Sequence, residues 1–238
     1  MKLGLFSDSH YSDRAVACTT RRPSMSYGKI REAMEAFSDA GCDLVICLGD
    51  LVDCCDTIEE DRARLDEVNE MISSFGLPFY CLMGNHDYQN FDRAEFASRT
   101  SYPPFFLRFG EITLIFPDAN YMDNGTPEGL IYQKDALDWT NAYLPADQGA
   151  KLREVLAEDD TVNAYVFLHQ NLDPDVERHH IIRNACEIRE ILRQSGKVRG
   201  VYQGHYHPGH ENLIDGIPYV TLSAMCEGEG NSYRIIEI

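Results

Sequence analysis

Five apolar segments of the sequence are each followed at once by side chains that can bind a metal ion or exchange a proton. One such turn is weak evidence, because a Gly-Asn-His-Asp turn is more often an ordinary loop and a lone histidine after a strand is more often structural. Together the five turns hold five of the eight histidines, which favours one shared site. The turns are Asp8-x-His10, Gly49-Asp50, Gly84-Asn85-His86-Asp87, His169 and Gly204-His205-x-His207.

The residue types in these turns point to a particular metal chemistry. Carboxylate, amide and imidazole ligands without thiolate suit Mn, Fe, Zn or Co better than Ca or Mg. Seven candidate ligands are too many for one tetrahedral ion and suit two ions that share a bridge: Asp8, His10, Asp50, Asn85, His169, His205 and His207. Two ions roughly 3.5–4 Å apart can activate a water and hold the oxygens of an in-line displacement at phosphorus.

The segments that must position these residues alternate between strand and helix in the first half of the chain. Continuous apolar runs predict strands over 2–7, 43–48 and 77–83, and helical periodicity predicts helices over 28–40 and 57–75. Thr57 with Glu60 forms a capping-box pattern at the start of the second helix. This order predicts right-handed crossovers and a parallel sheet, so we expect the five turns at the carboxyl end of one sheet.

The second half of the chain predicts further strands and helices around two long loops. A hairpin turns at Gly110, and strands cover 161–168 and 198–203. Helices are predicted over 92–99, 146–158 and 184–195, the last with Asn184 as N-cap, and short strands over 211–214, 219–222 and 233–236. The loops are 11–27 and the loop-rich segment 119–144, which carries the only tryptophan, Trp139, and is a candidate insertion over the site. Without a linker or repeat, residues 1–238 are predicted to form a single domain.

Composition limits the kinds of partner. The 39 acidic and 21 basic residues give a formal charge of −18, which argues against nucleic acid or an anionic membrane as partner. No apolar run approaches the roughly 18 residues of a membrane span. We find neither a signal-peptide pattern nor a Cys-x-x-Cys pair, so we expect a cytoplasmic protein without a zinc ribbon or redox motif.

The five turns, in this order and spacing, resemble the motif set of the calcineurin-like metallophosphoesterases. The resemblance runs from Asp8 to His207 and includes a Gly49-Asp50-x-x-Asp53 block. It implies a four-layer α/β/β/α sandwich with two mixed β-sheets, in which the later antiparallel strands have a place. It also implies two divalent or trivalent metal ions, with Mn or Fe the first expectation and Zn or Co as alternatives.

The resemblance further implies a division of labour among the candidate residues. Asp50 would bridge the two ions, and His86 would not be a ligand but the general acid to the leaving oxygen, with Asp87 holding its ring. A metal-bound hydroxide would be the nucleophile. The first ion would be held by Asp8, His10, Asp50 and His207, and the second by Asp50, Asn85, His169 and His205.

Some features more loosely resemble the branch of ADP-ribose and CDP-alcohol diphosphatases. They include the arginine-bearing loop after His10, Asn90-Phe91, Asp138-Trp139-Thr140 and Glu227-Gly228-Glu229-Gly230. His10 differs from the glutamine of some members of that branch. Arg21, Arg22 and His180 are the candidate substrate contacts, although an arginine pair of this kind is more often a solvated loop charge.

We therefore expect a dinuclear metal-dependent phosphohydrolase that acts on a small phosphodiester or a nucleotide-type diphosphate. A phosphomonoesterase of the same fold is the alternative within the enzymes. A catalytically silent binding or scaffold protein is the alternative from another class, and the intact ligand set with His86 argues against it. The metals, the substrate and the oligomeric state stay open at this stage.

Overall fold

A computed structural model describes residues 1–133 and 137–238; residues 134–136 of the predicted loop-rich segment lie outside the described part. The described helices are α1 (Ser26–Asp39), α2 (Ile58–Ser73), α3 (Asn85–Asn90), α4 (Arg93–Arg99), α5 (Ala146–Ala157) and α6 (Ala185–Ser195). The described strands are β1 (Lys2–Phe6), β2 (Leu44–Cys47), β3 (Phe79–Cys81), β4 (Phe106–Phe109), β5 (Ile112–Ile115), β6 (Tyr121–Met122), β7 (Leu130–Ile131), β8 (Ala142–Tyr143), β9 (Asn163–Leu168), β10 (Val198–Gln203), β11 (His210–Ile214), β12 (Ile217–Thr221) and β13 (Arg234–Glu237). No helix among the described residues is long and apolar enough to cross a membrane.

The chain builds two mixed sheets, as the fold prediction expected. The first has the order β13-β1-β2-β3, with β1, β2 and β3 parallel and β13 antiparallel to β1. The second has the order β11-β12-β10-β9-β5-β4, with parallel pairing of β5, β9, β10 and β12. The β4–β5 and β11–β12 hairpins form its two edges, and the predicted hairpin turn at Gly110 is confirmed.

Alternation along the strands produces the four layers. In β1 and β2 the side chains of Leu3, Leu5 and Ile46 pack between the sheets against residues of the second sheet such as Phe167. The intervening side chains face outward, where Phe6 and its neighbours join the cluster that includes the helices. The residues of these strands that face outward are apolar as well as those that face inward. Each sheet is therefore covered on both faces, as the continuous apolar runs predict.

Two local predictions need correction. All five turns were expected at the end of one sheet, but three follow strands of the first sheet and two follow β9 and β10 of the second. Asn184 stands at the N-cap position of α6 without capping it; its side chain instead bonds to the backbone N–H and carbonyl of Leu144, at 3.1 and 2.9 Å. The capping box of Thr57 and Glu60 is present as predicted.

Two elements escaped the sequence patterns. The turn after β3 continues as the short helix α3, which begins at Asn85 itself. The segment 119–144 contains strands β6, β7 and β8, which form a third, three-stranded sheet. Strands of two residues carry too little periodicity to be recognised in a sequence.

Two glycines offer a matched test of the packing of α1 on the first sheet. A Cβ at Gly4 would lie 2.5 Å from Cγ of the Phe37 ring, whereas a Cβ at Gly28 inside α1 meets nothing within 4 Å. We expect Gly4→Ala to lower the free energy of unfolding by about 1–3 kcal/mol through overpacking. Gly28→Ala should raise it by about 0.5–1 kcal/mol, because alanine loses less backbone entropy in a helix. Denaturant unfolding of both variants measures the difference, and equal effects would contradict this packing.

Candidate dinuclear metal site

The strand ends of the two sheets are joined directly by hydrogen bonds. The N–H of Asp8 donates to Gly49 O at 3.0 Å, linking the ends of β1 and β2. The N–H of His205, after β10 of the second sheet, donates to the Asp8 carboxylate at 3.0 Å. The Asp50 N–H donates to the Asp87 carboxylate, and Nδ1 of His169 lies 2.9 Å from Leu48 O, so all five predicted turns meet where the carboxyl ends of the two sheets come together.

The backbone is strained at this junction. Asp8, His10, Asp50 and His205 have φ values of 54°, 45°, 52° and 67°, in the left-handed region that non-glycine residues rarely adopt. Such conformations cost energy, cluster at functional sites and persist only where surrounding contacts hold them. Gly49 is required for the same reason: its φ is 108°, and a Cβ there would lie 2.7 Å from Nδ1 of His169.

One group of donor atoms matches the ligand set predicted for the first ion. The Nε2 atom of His10 lies 3.2 Å from Nε2 of His207 and 3.6 Å from Oδ2 of Asp50. The same His207 nitrogen lies 3.7 Å from Oδ1 of Asp8. Ligands that bind one ion at about 2.0–2.2 Å stand roughly 3–4 Å apart, so these spacings suit an ion between the four side chains.

A second group matches the set predicted for the other ion. The Nε2 atom of His169 lies 3.4 Å from Oδ2 of Asp50 and 3.2 Å from Oδ1 of Asn85. Donor atoms of Asp50, His169 and His205 lie within 4.8 Å of one another, and Nε2 of His205 is buried with no hydrogen-bond partner among the described residues. Oδ2 of Asp50 faces both groups, which is the geometry of a bridging ligand.

The electrostatics of these residues also fit cations. Burial lowers the pKa of His10 and of His205, which keeps both rings neutral as metal binding requires. Burial acts in the same direction on His169, but the Asp50 carboxylate outweighs it and raises the pKa of His169 to about 10. The buried carboxylate thus attracts a positive charge, which a metal ion can supply in place of a proton.

Contacts behind the donor atoms fix two imidazole orientations. Nδ1 of His169 lies 2.9 Å from Leu48 O, so Nδ1 carries the proton and Nε2 presents its lone pair to the site. Nδ1 of His207 lies 2.7 Å from Oε1 of Glu227. The sequence singles out Glu227 only as part of a Glu-Gly-Glu-Gly run and does not assign it a contact. A buried lysine, Lys29, donates to Met225 O at 2.8 Å and so holds the loop that carries Glu227.

His86 and Asp87 behave differently from the expectation. Nδ1 of His86 lies 2.9 Å from Oδ1 of Asp53, so Asp53 holds the ring. The Asp87 carboxylate instead accepts hydrogen bonds from the N–H groups of Gly84 and Asp50, at 2.9 and 2.8 Å. The prediction that Asp87 orients His86 is therefore wrong, because α3 turns this carboxylate under the Asp50 loop. The spacing Asp50-x-x-Asp53 was the signal in the sequence that could have identified Asp53 as the partner of His86.

A cavity of about 340 Å³ opens over the donor atoms. Of the three candidate substrate contacts, Arg21 and His180 line it and Arg22 does not. The Arg22 guanidinium donates instead to Thr19 O, at 3.1 Å. Sequence reasoning missed two further lining residues, Cys18 and Gln89, which lie in a long loop and in α3 and carry no metal-ligand or strand-end pattern.

Trp139 connects the predicted insertion to the site. Its ring lies 5.4 Å from the rings of His180 and His205, centroid to centroid. The segment around Trp139 therefore forms one wall of the cavity, next to a candidate ligand of the second ion. This placement agrees with the expectation of an insertion over the site.

Glu227 and Glu229 provide a matched test of the contact behind His207. We expect Glu227→Gln to weaken binding at the first ion by about 10–100-fold, because the ring loses the carboxylate that orients and polarises it. Glu229→Gln, an exposed change two residues away, should leave affinity unaltered. Calorimetric titration of the metal-free protein with Mn²⁺ measures both, and equal affinities would remove Glu227 from this role.

Sequence comparison finds relatives that are named as phosphodiesterases. A 3′,5′-cyclic adenosine monophosphate phosphodiesterase, CpdA, from Haemophilus influenzae is 25% identical over 236 residues, covering 95% of this chain and 77% of the relative. A probable cyclic nucleotide phosphodiesterase from Psychrobacter arcticus is 26% identical over 199 residues, covering 78% of this chain and 64% of the relative.

Solved structures support the fold. A dimetal phosphatase from Danio rerio superposes with a TM-score of 0.77 at 16% identity, covering 98% of this chain and 91% of that one. At this identity the likeness shows the fold alone.

The profile described as "Calcineurin-like phosphoesterase" matches residues 1–209, which include all the turns described above. The chain therefore belongs to the calcineurin-like phosphoesterase family and is a metal-dependent phosphoesterase.

Proposed function

We propose that this phosphoesterase hydrolyses a small phosphodiester or a nucleotide-type diphosphate at a dinuclear metal centre. The observation that carries the proposal is the position of His86. Its ring, held by Asp53, lines the same cavity as Asp50 and Asn85, which stand among the candidate metal ligands. An acid so placed can reach an oxygen that leaves phosphorus while the ligand set holds the phosphoryl group.

The ligand groups suit two ions, and bound ions would supply an activated water and a Lewis acid for the phosphoryl oxygens. In the hydrolysis the water oxygen forms a bond to phosphorus and the bond to the leaving oxygen breaks. His86 gives its proton to that leaving oxygen. Burial disfavours the charged ring, but the Asp50 and Asp53 carboxylates outweigh it and raise the pKa of His86.

The residues that line the cavity support a substrate that carries a second phosphate group or a nucleobase. Arg21 offers a cation to a second phosphate or to the leaving part of the substrate. Trp139 and His180 offer aromatic surface beside the second ligand group, on which a nucleobase can stack. These contacts favour a diester or diphosphate over a monoester, for which the ligands and His86 would suffice.

The relatives support the diester side of this proposal, since both are named for cyclic nucleotide phosphodiesterase activity. A phosphomonoesterase remains the alternative within the same chemistry. The alternative of a silent scaffold conflicts with the strained, buried ligand set, which a scaffold would have no reason to maintain. We retain Mn and Fe as the proposed ions.

Removing the acid should separate turnover from metal binding. We expect His86→Gln to lower kcat by about 10²–10⁴-fold, because the leaving oxygen loses its proton donor. Metal content should stay at the wild-type value, since His86 is not proposed as a ligand. Asp53→Asn should also lower kcat, because the His86 ring would lose the carboxylate that holds it in place. Loss of metal in His86→Gln would show instead that His86 is a ligand.

A substrate panel tests the preference for diesters. We expect Mn²⁺-loaded protein to hydrolyse bis-p-nitrophenyl phosphate, 2′,3′- or 3′,5′-cyclic nucleotides, or nucleotide diphosphates faster than p-nitrophenyl phosphate. Arg21→Ala should lower kcat/KM for the preferred substrate more than for p-nitrophenyl phosphate. Preference for the monoester would overturn the diester proposal, and hydrolysis of none of them would revive the scaffold alternative.

A further inference from the structure

A second set of metal-binding side chains lies outside the dinuclear site. Donor atoms of Asp173, Asp175 and His210 lie within 4.8 Å of one another. None of these residues belongs to either ligand group described above or lines the catalytic cavity. We propose that these three side chains bind a third divalent transition-metal ion, a class that favours mixed imidazole and carboxylate ligands.

The buried carboxylate of Asp173 is the first reason. Asp173 is fully buried, and its two oxygens have different surroundings. Oδ1 accepts hydrogen bonds from the N–H of Asp175 at 3.0 Å and from Nδ2 of Asn212 at 2.9 Å. Oδ2 is buried and accepts no hydrogen bond from the described residues. An ionised carboxylate oxygen without a partner is costly inside a protein, so a cation at this position would satisfy it.

The distance to His210 is the second reason. Nε2 of His210 lies 3.8 Å from Oδ2 of Asp173, too far for a hydrogen bond. This separation falls in the range of roughly 3–4 Å expected for two ligands of one ion. It also resembles the 3.6 Å between His10 and Asp50 in the dinuclear site. The unpartnered oxygen therefore points at an imidazole nitrogen across a gap of suitable size.

The third ligand is already held in place. Nδ2 of Asn212 donates to Oδ2 of Asp175 as well as to Asp173, both at 2.9 Å. Asn212 is a residue of the edge strand β11, two positions after His210. One amide thus holds both carboxylates beside the strand that carries the imidazole. Such preorganisation reduces the entropy lost when an ion binds.

An ion here would connect two parts of the fold. Asp173 and Asp175 belong to the loop that follows β9 and also carries His180 of the cavity wall. His210 begins β11, the edge strand of the second sheet. The ion would fasten this loop to the sheet edge without touching the substrate. We therefore expect a structural ion rather than a catalytic one.

Metal counting tests the proposal on the full chain. Protein stripped with a chelator, loaded with Co²⁺ and desalted should retain three Co²⁺ per chain by mass spectrometry. His210→Gln should retain two and keep the phosphoesterase activity of the wild type, because the dinuclear centre is unchanged. Asp173→Asn should also retain two; if that buried change prevents folding, His210→Gln decides alone.

His179→Gln is the matched control, because His179 lies on the same loop after β9 and belongs to another group, with Glu177 and His180, that could hold an ion. This variant should retain three Co²⁺. A wild-type protein that retains only two, a His210→Gln variant that keeps three, or loss of the third ion in His179→Gln would each overturn the proposal.

Discussion

The architecture of the site depends on one buried carboxylate, Asp50. Its Oδ2 atom faces His10 on one side and His169 on the other, and its Oδ1 atom accepts the His86 N–H at 2.8 Å. A charge this deeply buried is stable only when paired and hydrogen-bonded. The surrounding imidazoles and backbone amides supply those partners, and the proposed metal ions would add to them. The left-handed backbone at Asp50 is the conformation that makes all of these contacts available at once.

Two sheets, rather than one, make that convergence possible. A single sheet spaces its strands about 4.8 Å apart, so five strand ends would be spread along a line. Packing two sheets face to face lets β9 and β10 bring their ends over those of β1, β2 and β3. The apolar layer between the sheets fixes this relation, and the bond from the His205 N–H to Asp8 joins the two halves at the site. Packing between sheets thus determines the spacing of the ligands.

Around the ligands, a second set of contacts assigns each side chain its task. Leu48 and Glu227 orient the imidazoles of two proposed metal ligands, His169 and His207, whereas Asp53 orients His86, which lines the cavity. His169, His207 and His86 are the same residue type, and each contacts its partner through Nδ1. Their different tasks come from the partner and from the position of the ring. Asp87, the remaining carboxylate of its turn, stabilises the loop that presents Asp50. A turn of three adjacent polar residues therefore serves three separate purposes.

The sequence by itself determined the family, the strand and helix order of the parallel core, and the set of candidate ligands that the fold brings together. Apolar periodicity and polar residues at strand ends can be read from short stretches of sequence. A polar residue in a turn is therefore recognised as a candidate ligand whichever sheet carries that turn. Tertiary structure alone decided that Asp53 rather than Asp87 holds His86, and that Arg21 but not Arg22 lines the cavity. These outcomes depend on distances between segments far apart in the chain, and on strands of two residues that carry no readable period. For the same reason, only the folded chain places Asp173 beside His210.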